Sequence, residues 1–381
     1  MIKIASIDEI KSGKVSDIYF IRTEKILRSK RIDKNVVAEF SAKSLPGGIP
    51  WAVFSGLSDV LDLLKDIPVD VEAIPEGSIF TSDVPVMTIS GKYLDFGKFE
   101  TTILGLICQA SGIATQAARF SVAAKGRPIL SFGTRRMHPS ICAVIDRNAY
   151  IGGCSGISTV FSGEALGLEP SGTVPHSLIL LFGDTVEAIK AFDDVIPGNV
   201  PRIALIDTFN DEKFEAVRVA EAMGESLYGV RLDTPASRRG NFKKILREVR
   251  WELDVRGYKN VKIIVSGGLD IEDVKELNDY VDSYGVGTSI SNARVVDFSM
   301  DIVEIEGKKI AKRGKMSGKK DVYVGNSPLD IEVVYKGMLP TAEDYRKLTR
   351  KYMEKGKIVT DIPDDFEIRR YVLSQLRELE V

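Results

Sequence analysis

Histidine is almost absent from this sequence, and one of its two copies stands where a turn meets an apolar segment. His176 lies in PSGTVPHSLILLF (170–182), in which a Ser-Gly-Thr turn leads into a helix-like run. A histidine there either satisfies backbone groups at the start of a helix or presents its ring nitrogens for chemistry. Polar residues elsewhere in the chain bear on this choice.

Five short apolar segments have the composition of buried strands, and each ends in polar residues or glycine. They are RPILSF, RIALID, YGVRLD, VKIIVSGG and YGVGTS, and helical stretches follow several of them. This alternation predicts βα units and a parallel sheet, which binds ligands at the carboxyl ends of its strands. A β/α barrel and an open doubly wound sheet both fit. The barrel is favoured because no GxGxxG opens the series.

Two glycine turns and two aspartates follow these predicted strands. Gly267-Gly268 and Gly287-Thr288 could bind phosphate through their backbone N–H groups, although tight βα turns also require glycine. Asp207 and Asp233 could contact sugar hydroxyls or Mg²⁺, or could instead cap the helices that follow them. We interpret the set as a pocket for a phosphorylated sugar.

Cations and an aromatic residue occupy the same predicted rim. Phe132 is followed closely by Arg135 and Arg136, which would point to opposite sides of a strand, so at most one of them would face the pocket. Arg231 precedes Asp233 by two residues, and both would face the same side. A salt bridge between these two residues is the alternative to a role in binding.

The chain of 381 residues is long enough for two or three domains. Pro and Gly breaks predict a small mostly-β domain over residues 1–94. A helix-periodic segment (95–125) opens a predicted barrel domain over 95–290. Residues 291–381 predict a hairpin (303–323) and two amphipathic helices (341–354 and 364–379) that pack on the first domain. The predicted fold class is α/β, with an irregular β/α barrel and a mixed α/β domain formed by the N-terminal and C-terminal regions.

Composition limits the possible partners and surroundings. The 52 Lys and Arg nearly balance the 54 Asp and Glu, so nothing predicts binding to nucleic acid or to a membrane surface. Cys108, Cys142 and Cys154 show no CxxC spacing and are interpreted as reduced thiols of a cytoplasmic protein. We expect no zinc site. The lysines of KRGKMSGKKDVY (312–323) are interpreted as a solvated face.

Short motifs in a characteristic order resemble those of the nicotinate phosphoribosyltransferases, which belong to the type II phosphoribosyltransferases. Within that family the resemblance is to archaeal-like members. The motifs are SDIYF, SFGTRR, GISTV, GTVPHS, LIDTF, RLD, SGG and GVG. The resemblance implies that Tyr19 stacks on the pyridine ring in the site of a neighbouring subunit, and that Phe132 stacks on its opposite face. It assigns the ring carboxylate to Arg135 or Arg136. A site shared in this way implies a homodimer or a larger assembly of dimers.

The resemblance also bears on the substrate. Nicotinamide-using relatives carry an acidic residue where this chain has Ser158, and an acid would repel the carboxylate of nicotinate. Ser158 therefore favours nicotinate. Quinolinate enzymes are usually shorter and need more cations for a second carboxylate.

The remaining roles implied by the resemblance concern phosphate and ATP. His176 would be phosphorylated by ATP, with Asp207 orienting it. Asp207 would lie near the ribose and Mg²⁺, and Arg231 and Asp233 at the ring and ribose. The segments SGG and GVG would hold the 5′-phosphate. The implied partners are nicotinate, phosphoribosyl pyrophosphate and ATP.

Three alternatives remain open from the sequence. The first is the same reaction with nicotinamide or quinolinate. The second is a barrel lyase or isomerase acting on a sugar phosphate, although no Lys or Glu stands at a strand end to serve it. The third is a non-catalytic descendant that only binds a ligand.

Overall fold

The computed structural model describes residues 3–381 as two compact units. Residues 3–115 and 293–379 form the first, and residues 116–292 with the last two residues form the second. The division falls within a long helix, Glu100–Ala123, rather than ahead of it at residue 95. The N-terminal and C-terminal regions therefore share one unit, as the predicted fold class requires.

The first unit is built on an antiparallel sheet whose strands come from both ends of the chain. Residues alternate along Asn35–Ala42, so that Ala38 and Phe40 enter the apolar core while Glu39 lies on the other face. The order of the seven strands is Lys308–Lys309, Phe298–Ile305, Asn35–Ala42, Pro85–Lys92, Asp70–Ala73, Arg350–Glu354, Lys357–Ile358.

Smaller sheets and several helices complete this unit. In Leu57–Leu64 the buried residues recur at helical spacing, so one face of the helix packs on the core. Strands Lys320–Val324, Ile331–Tyr335 and Arg346–Lys347 form one small sheet, and Ala52–Val53 pairs with Ile79–Phe80 in another. The other helices are Ile7–Lys11, Ile18–Lys30, Tyr93–Phe96 and Asp365–Leu376, with 3₁₀ turns at Pro46–Gly48 and Gly97–Phe99.

Two predictions for this unit were wrong. Residues 341–354 do not form a helix, because Arg350–Glu354 pairs with the distant strand Asp70–Ala73 and a turn at Lys355-Gly356, both with positive φ, follows it. The prediction of a solvated face over the lysine-rich segment holds for Lys312, whose side chain is 66% exposed, but is wrong for its last two lysines. Lys320 is buried against Glu39, and Lys319 pairs with Glu72.

The second unit contains the parallel sheet that the sequence predicts. All five apolar segments form strands, and nearly every strand residue is buried because helices cover the sheet. The strand order is Ile129–Ser131, Ser283–Val286, Lys262–Val265, Gly229–Leu232, Ile203–Leu205. Its helices are Cys142–Ile151, Val160–Leu166, His176–Phe182, Thr185–Val195, Glu212–Met223, Ala236–Arg239, Phe242–Val255, Ile271–Leu277 and Thr288–Ser291, with 3₁₀ turns at Thr134–Arg136, Pro139–Ile141, Gly224–Ser226 and Asn278–Tyr280.

Beyond Ile129–Ser131, the first strand of this order, backbone pairing continues through segments that are not regular strands. Leu130 forms a parallel bridge with Gly156, and the N–H of Ser171 donates to the carbonyl of Ile157. These pairings make the barrel irregular, in agreement with the prediction. Among the helices of residues 3–381, none combines the length and apolarity needed to cross a bilayer.

Candidate active site

A cavity of about 1200 Å³ opens at the carboxyl ends of the parallel strands in the second unit. Most of the residues selected from the sequence line it. They are Phe132, Arg135, Arg136, Ser158, His176, Arg231, Asp233, Gly267, Gly268, Gly287 and Thr288. Tyr19 belongs to the other unit, where it lies on helix Ile18–Lys30 with 56% of its surface exposed.

His176 is the first residue of helix His176–Phe182, and its ring does not cap that helix. Its Nδ1 lies 3.0 Å from Oγ1 of Thr208. Its Nε2 lies 3.6 Å from Oδ2 of Asp233 and 3.9 Å from Oδ1 of Asp207. The helix-capping interpretation is therefore wrong. The hydrogen bond that orients the ring comes from Thr208 and not from Asp207.

Asp207 lies beneath the cavity, with only 5% of its side chain exposed. Burial raises the pKa of its carboxyl above the ordinary value; His176 opposes this shift and Asp233 adds to it. Its Oδ1 is buried and has no hydrogen-bond partner within the described part of the chain. The helix that follows is capped by Asp211, so Asp207 is not a helix cap.

Asp233 is more open than Asp207 and is held by a neighbouring strand. Its Oδ1 accepts a hydrogen bond of 2.5 Å from Oγ of Ser266, which leaves Oδ2 directed at His176. Pro235 occupies the cap position of the helix that follows, so the capping alternative is wrong for Asp233 as well.

Arg231 reaches the same region from the strand that carries Asp233. One Nη donates to Oγ1 of Thr173 over 2.5 Å, and its buried Nε has no acceptor within residues 3–381. Burial lowers the pKa of the guanidinium, although Asp233 and Asp207 oppose this shift. The described residues place no carboxylate within ion-pair distance of Arg231, so the salt-bridge alternative is wrong.

Arg135 and Arg136 both line the cavity, contrary to the expectation that only one of them could. They belong to a 3₁₀ turn, Thr134–Arg136, and not to a strand, so their side chains do not alternate between two faces. The hydroxyl of Thr134 anchors this turn by donating to Asp146 over 2.8 Å.

Asp146 is a buried carboxylate that the sequence did not single out. Its second oxygen accepts a hydrogen bond of 3.0 Å from Thr159, the residue after Ser158. Asp146 thereby ties the arginine turn to the Ser158 segment. Ser158 itself is half-buried and lines the cavity.

Glycines bring the backbone close to Phe132 and to Asp233. A Cβ on Gly285 would come within 2.6 Å of the Phe132 ring, so this ring packs directly on the glycine backbone. A Cβ on Gly267 would meet the carbonyl oxygen of Asp233 at 2.7 Å, and Gly267 and Gly268 have φ of +95° and +73°. These positions require glycine.

The second histidine and three residues that hydrogen-bond to predicted site residues remain to be described. His138 caps a 3₁₀ turn by accepting a hydrogen bond from the N–H of Ser140, which is a structural role. Thr208, Thr173 and Ser266 orient predicted site residues, but the sequence analysis passed over them. Ser266 directly follows a buried strand and Thr208 follows Asp207 just beyond another, and these positions were the signal that could have identified them.

Comparison with known proteins gives a consistent family. The family model described as the N-terminal domain of quinolinate phosphoribosyl transferase matches residues 17–111, and the model of its C-terminal domain matches 113–301. Nicotinate phosphoribosyltransferase pncB1 of Mycobacterium tuberculosis is 30% identical over 402 residues, covering 93% of this chain and 88% of the relative.

Solved structures agree with these sequence matches. The structure of nicotinate-nucleotide pyrophosphorylase from Pyrococcus furiosus has a TM-score of 0.97 and 53% identity, and the match covers 100% of this chain and 99% of that one. Human nicotinic acid phosphoribosyltransferase has a TM-score of 0.77 at 20% identity over 96% of this chain and 94% of its own, which shows a shared fold.

Proposed function

The chain belongs to the type II phosphoribosyltransferase family, and on this premise we propose that it transfers the phosphoribosyl group of 5-phosphoribosyl 1-pyrophosphate to nicotinate. The pyridine nitrogen forms a bond to C1 of the ribose as the bond from C1 to the pyrophosphate oxygen breaks. The products are nicotinate mononucleotide, a precursor of NAD, and pyrophosphate. One cavity that unites arginines, an aromatic ring, two glycine turns and an aspartate carries the proposal.

The nicotinate ring would bind beside Phe132, with its carboxylate directed at Arg135 and Arg136. A flat ring can stack on Phe132 while its nitrogen stays free to attack. Two adjacent guanidinium groups offer the paired donors that a carboxylate accepts. Ser158 adds no negative charge, so it does not repel the carboxylate of nicotinate and does not favour nicotinamide over it.

The sugar phosphate would bind at the glycine turns. Backbone N–H groups at Gly267-Gly268 and Gly287-Thr288 would hold the 5′-phosphate. Asp233 would accept hydrogen bonds from the ribose hydroxyls. No general base is needed, because the pyridine nitrogen already has its lone pair. Catalysis would come from positioning and from stabilising the charge on the leaving group.

We propose that Asp207 and Asp233 would hold Mg²⁺ together with the phosphate oxygens of the substrate. Oδ1 of Asp207 is buried without a hydrogen-bond donor in the described residues, and the carboxylate of Asp233 also faces His176. Carboxylate and phosphate oxygens are the ligands that Mg²⁺ prefers. When bound, the ion would neutralise charge on the pyrophosphate.

We propose that ATP assists the reaction through His176. Nδ1 of His176 lies within hydrogen-bond distance of the Thr208 hydroxyl. In the tautomer in which Nδ1–H donates to Thr208, the lone pair of Nε2 is free to attack the γ-phosphorus of ATP. A phosphorus–nitrogen bond forms as the bond to ADP breaks, and water later removes the phosphoryl group and regenerates the histidine. The His176 side chain is 39% exposed and lines the cavity, as this step requires.

We further propose that Tyr19 of the partner subunit completes the ring pocket, so the functional unit is at least a dimer. Ile18, Ile21 and Ile26 of the same helix are also exposed apolar residues, as expected of a helix that a second subunit covers. Mixing Tyr19→Ala subunits with His176→Ala subunits, which lack ATP-stimulated transfer, tests this arrangement through the recovery of ATP-stimulated activity. Recovered activity supports shared sites, whereas no recovery from mixed dimers contradicts them.

A second candidate substrate is quinolinate, which carries two carboxylates. The observation that favours it is the presence of three arginines in one cavity: Arg135, Arg136 and Arg231. Thr173 already holds one Nη of Arg231, which favours the substrate with one carboxylate.

Product formation from nicotinate, nicotinamide or quinolinate, each with phosphoribosyl pyrophosphate and Mg²⁺, tests the proposal directly. We expect nicotinate mononucleotide from nicotinate, formed faster with ATP. If nicotinate mononucleotide and CO₂ form from quinolinate and neither of the other two pyridines reacts, quinolinate is the substrate instead. His176→Ala should abolish ATP stimulation and retain some ATP-independent transfer. Loss of all transfer with the fold intact would place His176 in the transfer step itself.

A further inference from the structure

A buried arginine behind the cavity binds the backbone of the Gly267-Gly268 turn. Arg239 ends helix Ala236–Arg239 and is only 6% exposed. Its Nη2 donates to the carbonyls of Ser266, over 3.3 Å, and Gly267, and its Nε donates to the carbonyl of Thr234 over 2.7 Å. One guanidinium therefore holds the segments that follow two neighbouring strands.

These hydrogen bonds fix the direction of the N–H groups in the glycine turn. In a trans peptide the C=O and N–H bonds point in opposite directions. The peptides whose carbonyls bind Arg239 are those that carry the N–H groups of Gly267 and Gly268. Neither N–H has a protein acceptor within residues 3–381, and both glycines line the cavity.

Other arginines of this unit also bind backbone carbonyls, and two of them, Arg202 and Arg250, do so at the opposite ends of strands. Arg202 directly precedes strand Ile203–Leu205 and donates to four carbonyls. Arg250 binds the carbonyls of Tyr258 and Val261, ahead of strand Lys262–Val265. In βα barrels the amino ends of strands serve stability and the carboxyl ends serve function.

The three arginines also differ in how their charge is neutralised. Nε of Arg202 binds Asp193 over 2.5 Å, and Nε of Arg250 binds Asp254 over 2.8 Å. The nearest carboxylate oxygen to Arg239 in the described residues is that of Asp273, at 3.9 Å and without a hydrogen bond. The charge of Arg239 is therefore less closely neutralised than that of Arg202 or Arg250, and from behind the turn it can attract an anion.

We propose that Arg239 is a positioning residue for the sugar phosphate, and this inference rests on the function proposed above. By holding two carbonyls it keeps the N–H groups of Gly267 and Gly268 directed at the 5′-phosphate. Its charge increases the attraction of the turn for that phosphate. The side chain itself does not touch the substrate.

Substitution of Arg239 tests this role, with Arg202 as the control of matched burial (6% and 7% exposed). In Arg239→Ala we expect the KM for phosphoribosyl pyrophosphate to rise about tenfold or more, while the KM for nicotinate stays unchanged. Arg239→Lys retains the charge and should recover part of the loss. Arg202→Lys should lower the melting temperature without changing either KM.

Direct binding of inorganic pyrophosphate and phosphoribosyl pyrophosphate, measured by calorimetry, separates this inference from the proposed function. Wild-type protein that binds neither compound and transfers no phosphoribosyl group would contradict the function. Active wild-type protein with unchanged affinity in folded Arg239→Ala would overturn the inference alone. If Arg239→Ala does not fold, an unchanged KM for phosphoribosyl pyrophosphate in Arg239→Lys would also overturn the inference.

Discussion

The two ring nitrogens of His176 face different partners: Nδ1 lies 3.0 Å from Oγ1 of Thr208, and Nε2 lies 3.6 Å from Oδ2 of Asp233. A hydrogen bond from Nδ1–H to the threonine leaves the lone pair on Nε2, the nitrogen beside the carboxylates. In this tautomer Thr208 orients the ring so that Nε2 can accept a phosphoryl group. The resemblance assigned Asp207 to orienting the His176 ring. Its Oδ1 instead lies 3.9 Å from Nε2, where its negative charge would stabilise a protonated ring.

Thr208→Val should reduce the ATP stimulation of transfer at least about tenfold, because one oriented hydrogen bond to a reacting group contributes 1.4 kcal/mol or more. Transfer without ATP should change little. The measurement is the initial rate with and without ATP, together with ³¹P NMR detection of phosphohistidine. Thr173→Val, which removes the hydroxyl that Arg231 binds, is the control and should leave ATP stimulation intact. Equal stimulation in wild type and Thr208→Val would contradict the role of Thr208.

Ser158→Asp should shift preference from nicotinate towards nicotinamide by about tenfold or more in relative kcat/KM, because a carboxylate lining the cavity repels that of nicotinate. Asn is nearly the same size as Asp but carries no charge, so Ser158→Asn should shift the preference much less. Competition assays with both pyridines measure the ratio. A ratio that is unchanged in Ser158→Asp would show that Ser158 lies away from the ring.

The parallel sheet could be predicted because its signal is local. Each of the five apolar segments is buried on both faces, so its sequence alone distinguishes it from an exposed strand. The polar residues that follow then had to lie at one rim, and most of them do line a single cavity. The glycine turns were identifiable for the same reason.

Contacts between distant segments could not be predicted in this way. Residues 350–354 have a charge pattern that fits an amphipathic helix, yet they form a strand because Asp70–Ala73 offers an edge to pair with. Thr173, which binds Arg231, and the carbonyls of Ser266 and Gly267, which bind Arg239, come from other loops of the barrel, so no spacing in the sequence shows them. Arg135 and Arg136 were placed on opposite faces because a strand was assumed where the chain turns.

Glu100→Gln should stabilise the protein near neutral pH. Burial, with a contribution from Asp301, raises the pKa of Glu100 to about 7. The folded state therefore holds this proton more tightly than the unfolded state, and the stability contributed by protonation is lost as pH rises from about 4.5 to about 7. Denaturant unfolding should show a gain in Glu100→Gln at pH 8 and little difference at pH 4.5. An equal difference at both pH values would contradict the raised pKa.

Lys320→Met should destabilise the first unit by about 3 kcal/mol, because it leaves a buried carboxylate unpaired. Nζ of Lys320 lies 2.7 Å from Oε2 of Glu39, and both side chains are only 8% exposed. Burial already raises the pKa of Glu39, and Lys320 opposes that shift, with Lys315 helping and Asp301 acting against it. Without Lys320 the pKa of Glu39 rises further, so the variant should lose stability as pH increases.

Two companion variants make the test of this ion pair specific. Adding Glu39→Gln to Lys320→Met removes the unpaired charge and should restore most of the lost stability. Lys11→Met breaks an ion pair with Asp62 of the same 2.7 Å length, but both partners are exposed, so we expect a loss of about 1 kcal/mol or less. Urea unfolding of all the variants at pH 5 and pH 8 measures these differences. Similar losses in Lys320→Met and Lys11→Met would show that burial does not strengthen the Glu39–Lys320 pair.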